Sequence, residues 1–218
     1  MCSASCLIRL YEKRDRDAVF RLAGDTAFFG EPVERFLDDR RLFCDGMYAY
    51  YTDLEPEHAW VAVADGEVVG ALVASVDSPR HRRRWITRIL PRMALRFLAG
   101  RYTLGARTWR HSLRTIRARL VCGGEKIDVR KYPAHLHLNV QAAWRGRGIG
   151  RRLLTASLDQ LRSLGVPGVH LNTTDLNTAA ANLYRSAGFR IADARPSTQW
   201  SGLVSRPVMK VCYVRELP

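Results

Sequence analysis

The sequence predicts a mixed α/β (α+β) fold in which strands and helices follow one another along one chain. Two apolar runs, "AWVAVA" and "EVVGALVAS", flank Asp65-Gly66, a dipeptide typical of a tight β-hairpin. Leucines and an isoleucine between residues 149 and 161 recur mostly at spacings of three and four, which predicts an amphipathic helix. The runs "AHLHLNV" and "GVHLNTT" lie on either side of that helix and are typical of strands.

The other predicted elements follow in chain order. "CLIRLYEKRD" predicts a first strand, and "DRDAVFRLAGDTAFF" predicts a helix with Val19, Leu22 and Ala23 on one face. "EPVERFLDDRRLFCDGMYAYYTDLEPE" predicts a second helix with Pro32 near its first turn. "NTAAANLYRSAGF" predicts a short helix, and "FRIADA" and "VMKVCYVREL" predict closing strands. No repeat or low-complexity linker divides the chain, so we expect one domain over residues 1–218.

Composition narrows the class of protein. The 218 residues contain no apolar run of 18, so no transmembrane helix is expected, and the N-terminus does not resemble a signal peptide. The cysteines are odd in number and form no Cys-x-x-Cys pair, which predicts free thiols in a reducing, cytoplasmic setting and no metal site. They are Cys2, Cys6, Cys44, Cys122 and Cys212.

The net charge of +14 comes almost entirely from one basic segment, residues 78–124, which has thirteen arginines and no Asp or Glu. The segment mixes these arginines with large apolar residues, and we expect a helical insertion with its arginines facing water. Pro91 is expected to interrupt or kink any single helix there. The charge leaves three other interpretations open: an anionic membrane surface, an acidic protein or a nucleic acid.

A glycine-rich turn, "RGRGIG", precedes the leucine-rich helix. The first turn of a helix has unpaired N–H groups and the positive end of the helix dipole. Glycines at 146, 148 and 150 leave room for a phosphate to reach those groups. A plain flexible turn remains the alternative. The motif is not a P-loop, because no Gly-Lys-Ser/Thr follows, and its glycine spacing does not fit a dinucleotide fingerprint.

These motifs carry a resemblance to a known family. Strand, "RGRGIG" and leucine-rich helix, followed by "NTAAANLYRSAGF", resemble the two conserved motifs of the GNAT acyltransferase superfamily over residues 133–191. "YPAHLHL" is similar to bacterial acetyltransferases that resemble the acetyltransferase-like C-terminal domain of O-GlcNAc hydrolases. The resemblance implies a mixed, mostly antiparallel central sheet flanked by helices. The basic segment departs from a minimal domain of this kind, and insertions of this sort tend to shape the acceptor side.

The resemblance implies acetyl-CoA as co-substrate and indicates where it binds. Its pyrophosphate would contact backbone N–H groups from Arg147 to Arg151, while Arg145 and Arg152 would face phosphate or solvent. Its pantetheine arm would pair with backbone groups of the central strand, which splays from its parallel neighbour. Asn177 is expected to cap its helix and to approach the arm. The cofactor-binding residues that the resemblance predicts are Leu138, Val140, Arg145, Arg147, Gly148, Ile149, Gly150, Arg151, Asn177 and Tyr184. The basic segment could also hold the ribose phosphate.

Acyl transfer to an amine requires a general acid and a route for the amine proton. Tyr184 lies two helical turns beyond Asn177 and is predicted to protonate the departing thiolate. A core tyrosine with a wet hydroxyl is the alternative. Asp175, and either His135 or His137, are candidates for the general base, and the histidines could equally be packed side chains. The early-helix position alone suggests that the acceptor side could be lined by Tyr48, Tyr50, Tyr51, Glu55 and Glu57.

Together these features predict an acetyl-CoA-dependent N-acetyltransferase that acts by direct transfer to an unknown primary amine. We expect a monomer or homodimer, with neither nucleic acid nor a membrane surface as its main partner. The alternative is a catalytically silent module that keeps the fold and binds acetyl-CoA or another protein.

Overall fold

The computed structural model describes residues 6–122 and 127–217, without the side chains of residues 119, 121 and 122. Cys2 and the last two residues of the basic segment lie outside these ranges. The described residues form a seven-stranded sheet in the order β1-β2-β3-β4-β5-β7-β6. Its strands are β1 Leu7–Leu10, β2 Ala59–Ala64, β3 Glu67–Ser75, β4 Ala134–Val140, β5 Gly168–Thr174, β6 Arg190–Ser197 and β7 Val208–Glu216. Only β4 and β5 pair in parallel, so the predicted mixed, mostly antiparallel sheet is confirmed.

Helices cover both faces of the sheet. They are α1 Arg16–Asp25, α2 Arg40–Met47, α3 Ala49–Leu54, α4 Ser78–Arg84, α5 Leu90–Leu98, α6 Ala106–Cys122, α7 Ile149–Ser163 and α8 Thr178–Ser186. A π-helical turn, Trp85–Ile89, joins α4 to α5. Short 3-10 turns occur at Lys13–Asp15, Val33–Arg35, Pro56–His58 and Ala142–Trp144. Within the described residues, no helix is long and apolar enough to cross a membrane.

The prediction of one continuous second helix is wrong. Pro32 precedes only a 3-10 turn, and the chain then breaks before α2. Asp39 caps α2 by accepting a hydrogen bond of 2.8 Å from the Leu42 N–H. Asp38 faces α6, where it accepts bonds from the Thr108 N–H and hydroxyl. Aspartates that satisfy backbone donors in this way favour helix ends over helix interiors, which explains the break.

The sheet separates two apolar cores. Leu72, Leu136 and Leu171 lie on the face covered by α7 and α8, where they pack against Leu153 and Leu154. Val61, Ala71 and Val73 lie on the other face, against residues of α1, α3 and the π turn. The alternation of side chains along β3 therefore distributes neighbouring residues between the two cores.

The basic segment is helical in α4, the π turn, α5 and α6. Pro91 lies in the first turn of α5, directly after the π turn, so the predicted interruption is confirmed. Trp85 of the π turn donates a hydrogen bond of 2.8 Å from Nε1 to the Gly46 carbonyl. Arg96 pairs with Asp45, and Arg107 Nε contacts Asp38 Oδ1 at 2.9 Å. Carboxylates of the Asp38–Asp45 region thus anchor the segment to the domain.

We predict that Gly168→Ala destabilises the protein. A Cβ atom there would lie 2.5 Å from the Lys131 carbonyl oxygen and 2.7 Å from a ring carbon of Tyr132. Such overpacking costs about 1–3 kcal/mol. Gly46→Ala in α2 is the matched control, because its Cβ would meet only the flexible end of Met93 at 3.4 Å. Urea unfolding should show a lower midpoint for the first variant, and an unchanged or higher midpoint for the second. Equal midpoints would contradict the packing at Gly168.

Candidate functional site

The parallel strands β4 and β5 diverge at the centre of the sheet. They pair only at Ala134 with Val169 and at His135 with His170. Beyond those positions the strands continue without a ladder between them. A cavity of about 1390 Å³ lies along this opening and includes residues of both strands, the glycine turn, α6 and α8. The cavity is therefore built on a break in the sheet that the chain itself does not fill.

Backbone groups of β4 face this opening. The Gln141 N–H donates to the Val69 carbonyl at 2.9 Å, which sets the hydrogen-bonded pairs between β3 and β4. Because such pairs alternate along an antiparallel ladder, the N–H and C=O groups of Leu138 and Val140 point away from β3, toward the gap. The Val140 carbonyl accepts a bond of 3.1 Å from Arg145 Nε. The remaining groups are placed to pair with an extended polar chain.

The glycine turn forms the end of the same opening. Gly146 and Gly148 both have φ +75, a left-handed conformation that strains other residues. The helix α7 starts at Ile149, and Arg152 N–H makes a 3.1 Å bond to the Gly148 carbonyl. The N–H groups one turn earlier have no helical acceptor. A helix terminus of this kind, here at the edge of the cavity, is suited to binding an anion.

Close packing at Gly150 keeps the turn against β4. An added Cβ would lie 3.2 Å from Leu183, 3.6 Å from Leu138 and 3.8 Å from Val140. The third glycine of the motif is therefore required for the approach of α7 to β4 and α8. The motif thus combines two turn glycines with one packing glycine.

The arginines around the turn have contacts within the chain. Arg147 lies over the Trp144 ring with 4.6 Å between the guanidinium carbon and the ring centroid. Arg151 donates to the Ser186 hydroxyl at 2.9 Å, and Arg152 donates to the Cys6 carbonyl at 2.7 Å. Arg145 also contacts the Gly30 carbonyl at 3.2 Å. Their positive charge remains near the helix terminus, while the backbone N–H groups supply its directed donors.

Asn177 and Tyr184 of α8 both line the cavity. The Asn177 side chain accepts a 3.1 Å bond from the Ala180 N–H, so it is the N-cap of α8. Tyr184 is 6% exposed and packs near Phe189 and Tyr213, with ring centroids 5.7 and 5.9 Å apart. Burial raises the pKa of Tyr184 to about 12. The phenol is therefore protonated at neutral pH and can donate a proton.

The polar face of β4 carries His135, His137 and Asn139. Both ring nitrogens of His135 have partners: the Tyr51 hydroxyl at 2.8 Å and the Ser78 hydroxyl at 2.6 Å. The His137 ring has no hydrogen bond to any described residue, and it lines the cavity. Burial, and then the nearby His170, lower the pKa of His137 to about 4. Of the two histidines, only His137 is a neutral imidazole directed at the cavity.

Asp175 lies apart from this group. Its carboxylate contacts Arg206 at 2.5 Å and accepts a 2.9 Å bond from the Met209 N–H. The hydrogen bond from Arg206 lowers the pKa of Asp175. Asp175 does not line the cavity, although both of its neighbours, Thr174 and Leu176, do. The structure brings Tyr184 and His137 together in one cavity and leaves Asp175 outside it.

The residues predicted to line the acceptor side do not all face the cavity. Tyr48 lines the cavity and donates to Asn139 at 2.6 Å. Tyr50 instead donates to the buried Glu55 at 2.7 Å, and Tyr51 binds His135. A group of aromatic side chains that the sequence did not predict also lines the cavity. These are Phe29, Phe36, Phe43, His111 and Trp200, which come from separate segments and share no spacing that could have revealed them.

Comparison with known proteins agrees with this geometry. Residues 121–189 match the Acetyltransferase (GNAT) family. A segment of 56 residues is 45% identical to a mycothiol acetyltransferase of Nocardiopsis dassonvillei, covering 26% of this chain and 17% of that protein. The crystal structure of SsHAT superposes with a TM-score of 0.73 at 29% identity, covering 98% of this chain and 99% of that one.

A further solved structure carries a cofactor. The yncA acetyltransferase of Salmonella typhimurium, determined with its cofactor acetyl-CoA, has a TM-score of 0.59 at 15% identity and covers 99% of this chain and 95% of that chain. A splayed central sheet above a glycine-lined helix terminus defines a class of acyltransferase folds. Within that class, residues 121–189 match the GNAT acetyltransferase family, and the whole chain shares the fold of the SsHAT structure. The similarity to the O-GlcNAc hydrolase domain remains an expectation.

We predict that the buried histidines make the protein acid-sensitive. Burial lowers the pKa of His81 and His137 to about 4, and lowers that of His135 well below 6.5. The unfolded chain binds protons first as pH falls through about 6.5, so stability is complete above that pH and declines toward pH 4. The loss should be roughly 1 kcal/mol or more per histidine.

Urea midpoints between pH 8 and 4.5 measure this decline. His81→Phe keeps a ring beside Tyr51, whose centroid is 5.3 Å from that of His81, but removes the titrating group. This variant should show a shallower decline than the wild type. An identical pH profile for the two proteins would show that His81 is not buried as a neutral ring.

Proposed function

We propose that the protein is an acetyl-CoA-dependent N-acetyltransferase that acts on a primary amine. One observation carries this proposal: the gap between β4 and β5 opens into a single cavity that also holds the α7 terminus, Tyr184 and His137. The acetyl-CoA named for the yncA acetyltransferase supports the choice of acyl donor. The matched segment covers only 17% of the curated relative's length, so the acceptor is argued from this chain alone.

In this proposal the pyrophosphate contacts the backbone N–H groups from Arg147 to Arg151. The helix dipole and the nearby guanidinium groups add favourable charge. The pantetheine arm runs along β4 and pairs with backbone groups of Leu138 and Val140. The Asn177 amide, held by its capping bond, is placed beside the arm. No group of three or more metal-ligating side chains occurs among the described residues.

The proposed transfer is direct. The amine nitrogen forms a bond to the acetyl carbonyl carbon, and the carbon–sulfur bond then breaks. Tyr184 donates its phenolic proton to the departing sulfur, and the amine proton passes to His137 directly or through water. A neutral imidazole accepts this proton once the new bond has made the nitrogen acidic. The geometry favours His137 over Asp175 for this role, because Arg206 already holds the Asp175 carboxylate.

We propose that residues 1–218 act as a single domain, because one sheet contains both the first and the last described strands. The catalytically silent module is the competing proposal. Tyr184 and His137 in one cavity favour the enzyme. The cytoplasmic setting and the state as monomer or homodimer stay predictions.

Charge at the α7 terminus tests acetyl-CoA binding. We predict that Gly148→Asp raises the dissociation constant at least tenfold relative to Gly148→Asn. Asn and Asp both tolerate positive φ and both cap helices, so the two variants differ mainly in charge. A Cβ at residue 148 meets nothing within 4 Å, so the site has room for either side chain. A carboxylate there would repel the pyrophosphate.

Calorimetric titration with acetyl-CoA measures this difference, with desulfo-CoA and ATP as ligand controls. Desulfo-CoA should bind and ATP should not. Equal affinity of the Asp and Asn variants for acetyl-CoA would show that the pyrophosphate does not bind at this turn. Absence of acetyl-CoA binding at millimolar concentration in the wild type would reject acetyl-CoA as the donor.

The role of Tyr184 is tested separately. We predict that Tyr184→Phe lowers kcat by about 10²–10⁴-fold, the usual contribution of a general acid, without changing acetyl-CoA affinity. Thiol release measured with an amine acceptor gives kcat, and calorimetry gives the affinity. Turnover equal to that of the wild type would remove Tyr184 from the chemistry. If the wild type binds acetyl-CoA tightly but acetylates none of the amines tested, the silent module is favoured instead.

A further inference from the structure

One part of the cavity wall is lined with aromatic rings. Trp200 lies 5.1 Å from Phe29, 5.3 Å from Phe36 and 5.3 Å from His111, measured between ring centroids. Phe36 continues to Phe43 at 6.2 Å. We name these five residues the aromatic box. All of them line the same cavity as the α7 terminus and Tyr184.

The box connects to the reacting end of the cavity. The Phe43 ring lies 6.0 Å from that of Tyr48, and the Tyr48 ring lies 6.1 Å from that of His137. A continuous series of rings therefore leads from Trp200 to the proposed proton acceptor. Three segments distant in sequence converge here: the chain from the end of α1 into α2, helix α6, and the loop between β6 and β7.

The turn that carries Phe29 is strained. Phe29 has φ 53, a left-handed conformation that a bulky side chain rarely adopts. The turn is held by paired backbone bonds of 2.9 Å between Phe28 and Glu31, and by Arg145 on the Gly30 carbonyl. Strain of this kind persists where the surrounding structure fixes it, often at ligand sites. Here it fixes Phe29 at the cavity wall, and Arg145 ties that wall to the end of β4.

Charge in the cavity disfavours polycations. Among the described lining residues, Asp193 is the one carboxylate, and it pairs with Arg195. Arg145, Arg151 and Lys210 line the same cavity. Burial, followed by the charge of Arg114, lowers the pKa of His111 to about 4, so the box has no charge of its own at neutral pH. A polyamine would gain little from this site and would meet several positive charges.

We propose that the aromatic box receives an aromatic ring of the acceptor, so that the substrate is a primary amine with an aromatic side group. This inference rests on the N-acetyltransferase function proposed above. Phe29 and Trp200 are half-buried and offer faces and edges to a further ring, as aromatic pairs prefer, while the buried Phe36 packs behind Trp200. The amine then extends past Tyr48 toward His137. Apolar surroundings also favour the neutral amine, the form that attacks.

Steady-state kinetics test the box with 2-phenylethylamine, ethanolamine and putrescine as acceptors. We expect kcat/KM for 2-phenylethylamine to exceed that of the other two at least tenfold. Trp200→Ala should lower that value at least tenfold and should lower the value for ethanolamine by a smaller factor. Trp109→Ala is the matched control, because Trp109 is 58% exposed on α6 and does not line this cavity.

Folding and binding are measured alongside turnover. Circular dichroism and acetyl-CoA calorimetry verify that each variant is folded, and Phe29→Ala provides a second box variant if Trp200→Ala does not fold. Saturable quenching of tryptophan fluorescence by 2-phenylethylamine, lost in the box variants and kept in Trp109→Ala, supports the box even without turnover.

The outcomes separate the two proposals. Transfer to ethanolamine or putrescine as efficient as transfer to 2-phenylethylamine would overturn the aromatic acceptor and leave the acetyltransferase intact. Acetyl-CoA binding without transfer to any amine would overturn the enzymatic proposal. In that case, failure of 2-phenylethylamine to bind would overturn the aromatic box as well.

Discussion

The divergence of β4 from β5 is the constraint on which the rest of the structure depends. Two parallel strands that keep only two paired positions leave backbone donors and acceptors facing a gap. Unpaired backbone groups are costly when buried, so such a gap persists only where solvent or a ligand satisfies them. The packing of Gly150 against Leu138, Val140 and Leu183 occupies one side of the opening. The same contacts bring the α7 terminus to its edge, so the backbone groups of β4 that face the gap and the N–H groups of the helix terminus lie at one opening.

The two faces of β4 carry different kinds of residues because side chains alternate along the strand. Leu136 is buried in the core beneath α7, whereas His135 and His137 face tyrosines of α3 and the region before it. Burial keeps both imidazoles neutral at physiological pH. His135 is held by two hydroxyl groups, and His137 is left with its ring toward the cavity. One residue type is thus fixed by hydrogen bonds at one position and faces the cavity two residues later.

The sequence was sufficient to predict those parts of the fold that depend on local signals. The Asp65-Gly66 hairpin, the α7 stripe and the glycine turn each follow from neighbouring residues, and the structure contains all three. The break between Pro32 and α2 was missed because Asp38 is satisfied by Thr108, seventy residues away. The pairing of Asp175 with Arg206 joins residues 31 positions apart and follows from no local signal. The aromatic box around Trp200 could not be predicted from the sequence either, because its members come together only through tertiary packing.

The basic segment is best understood through the carboxylates that meet it. Asp38 and Asp45, 13% and 3% exposed at their side chains, pair with Arg107 and Arg96. Tyr102 donates a further 2.8 Å bond to Asp45. These contacts join α5 and α6 to the region between α1 and α3, whose own turn carries Phe29. They thereby bring His111 of α6 within 4.6 Å of Phe36. The insertion that departs most from a minimal domain is thus part of the cavity wall, and its arginines act first as anchors that place this wall opposite β4.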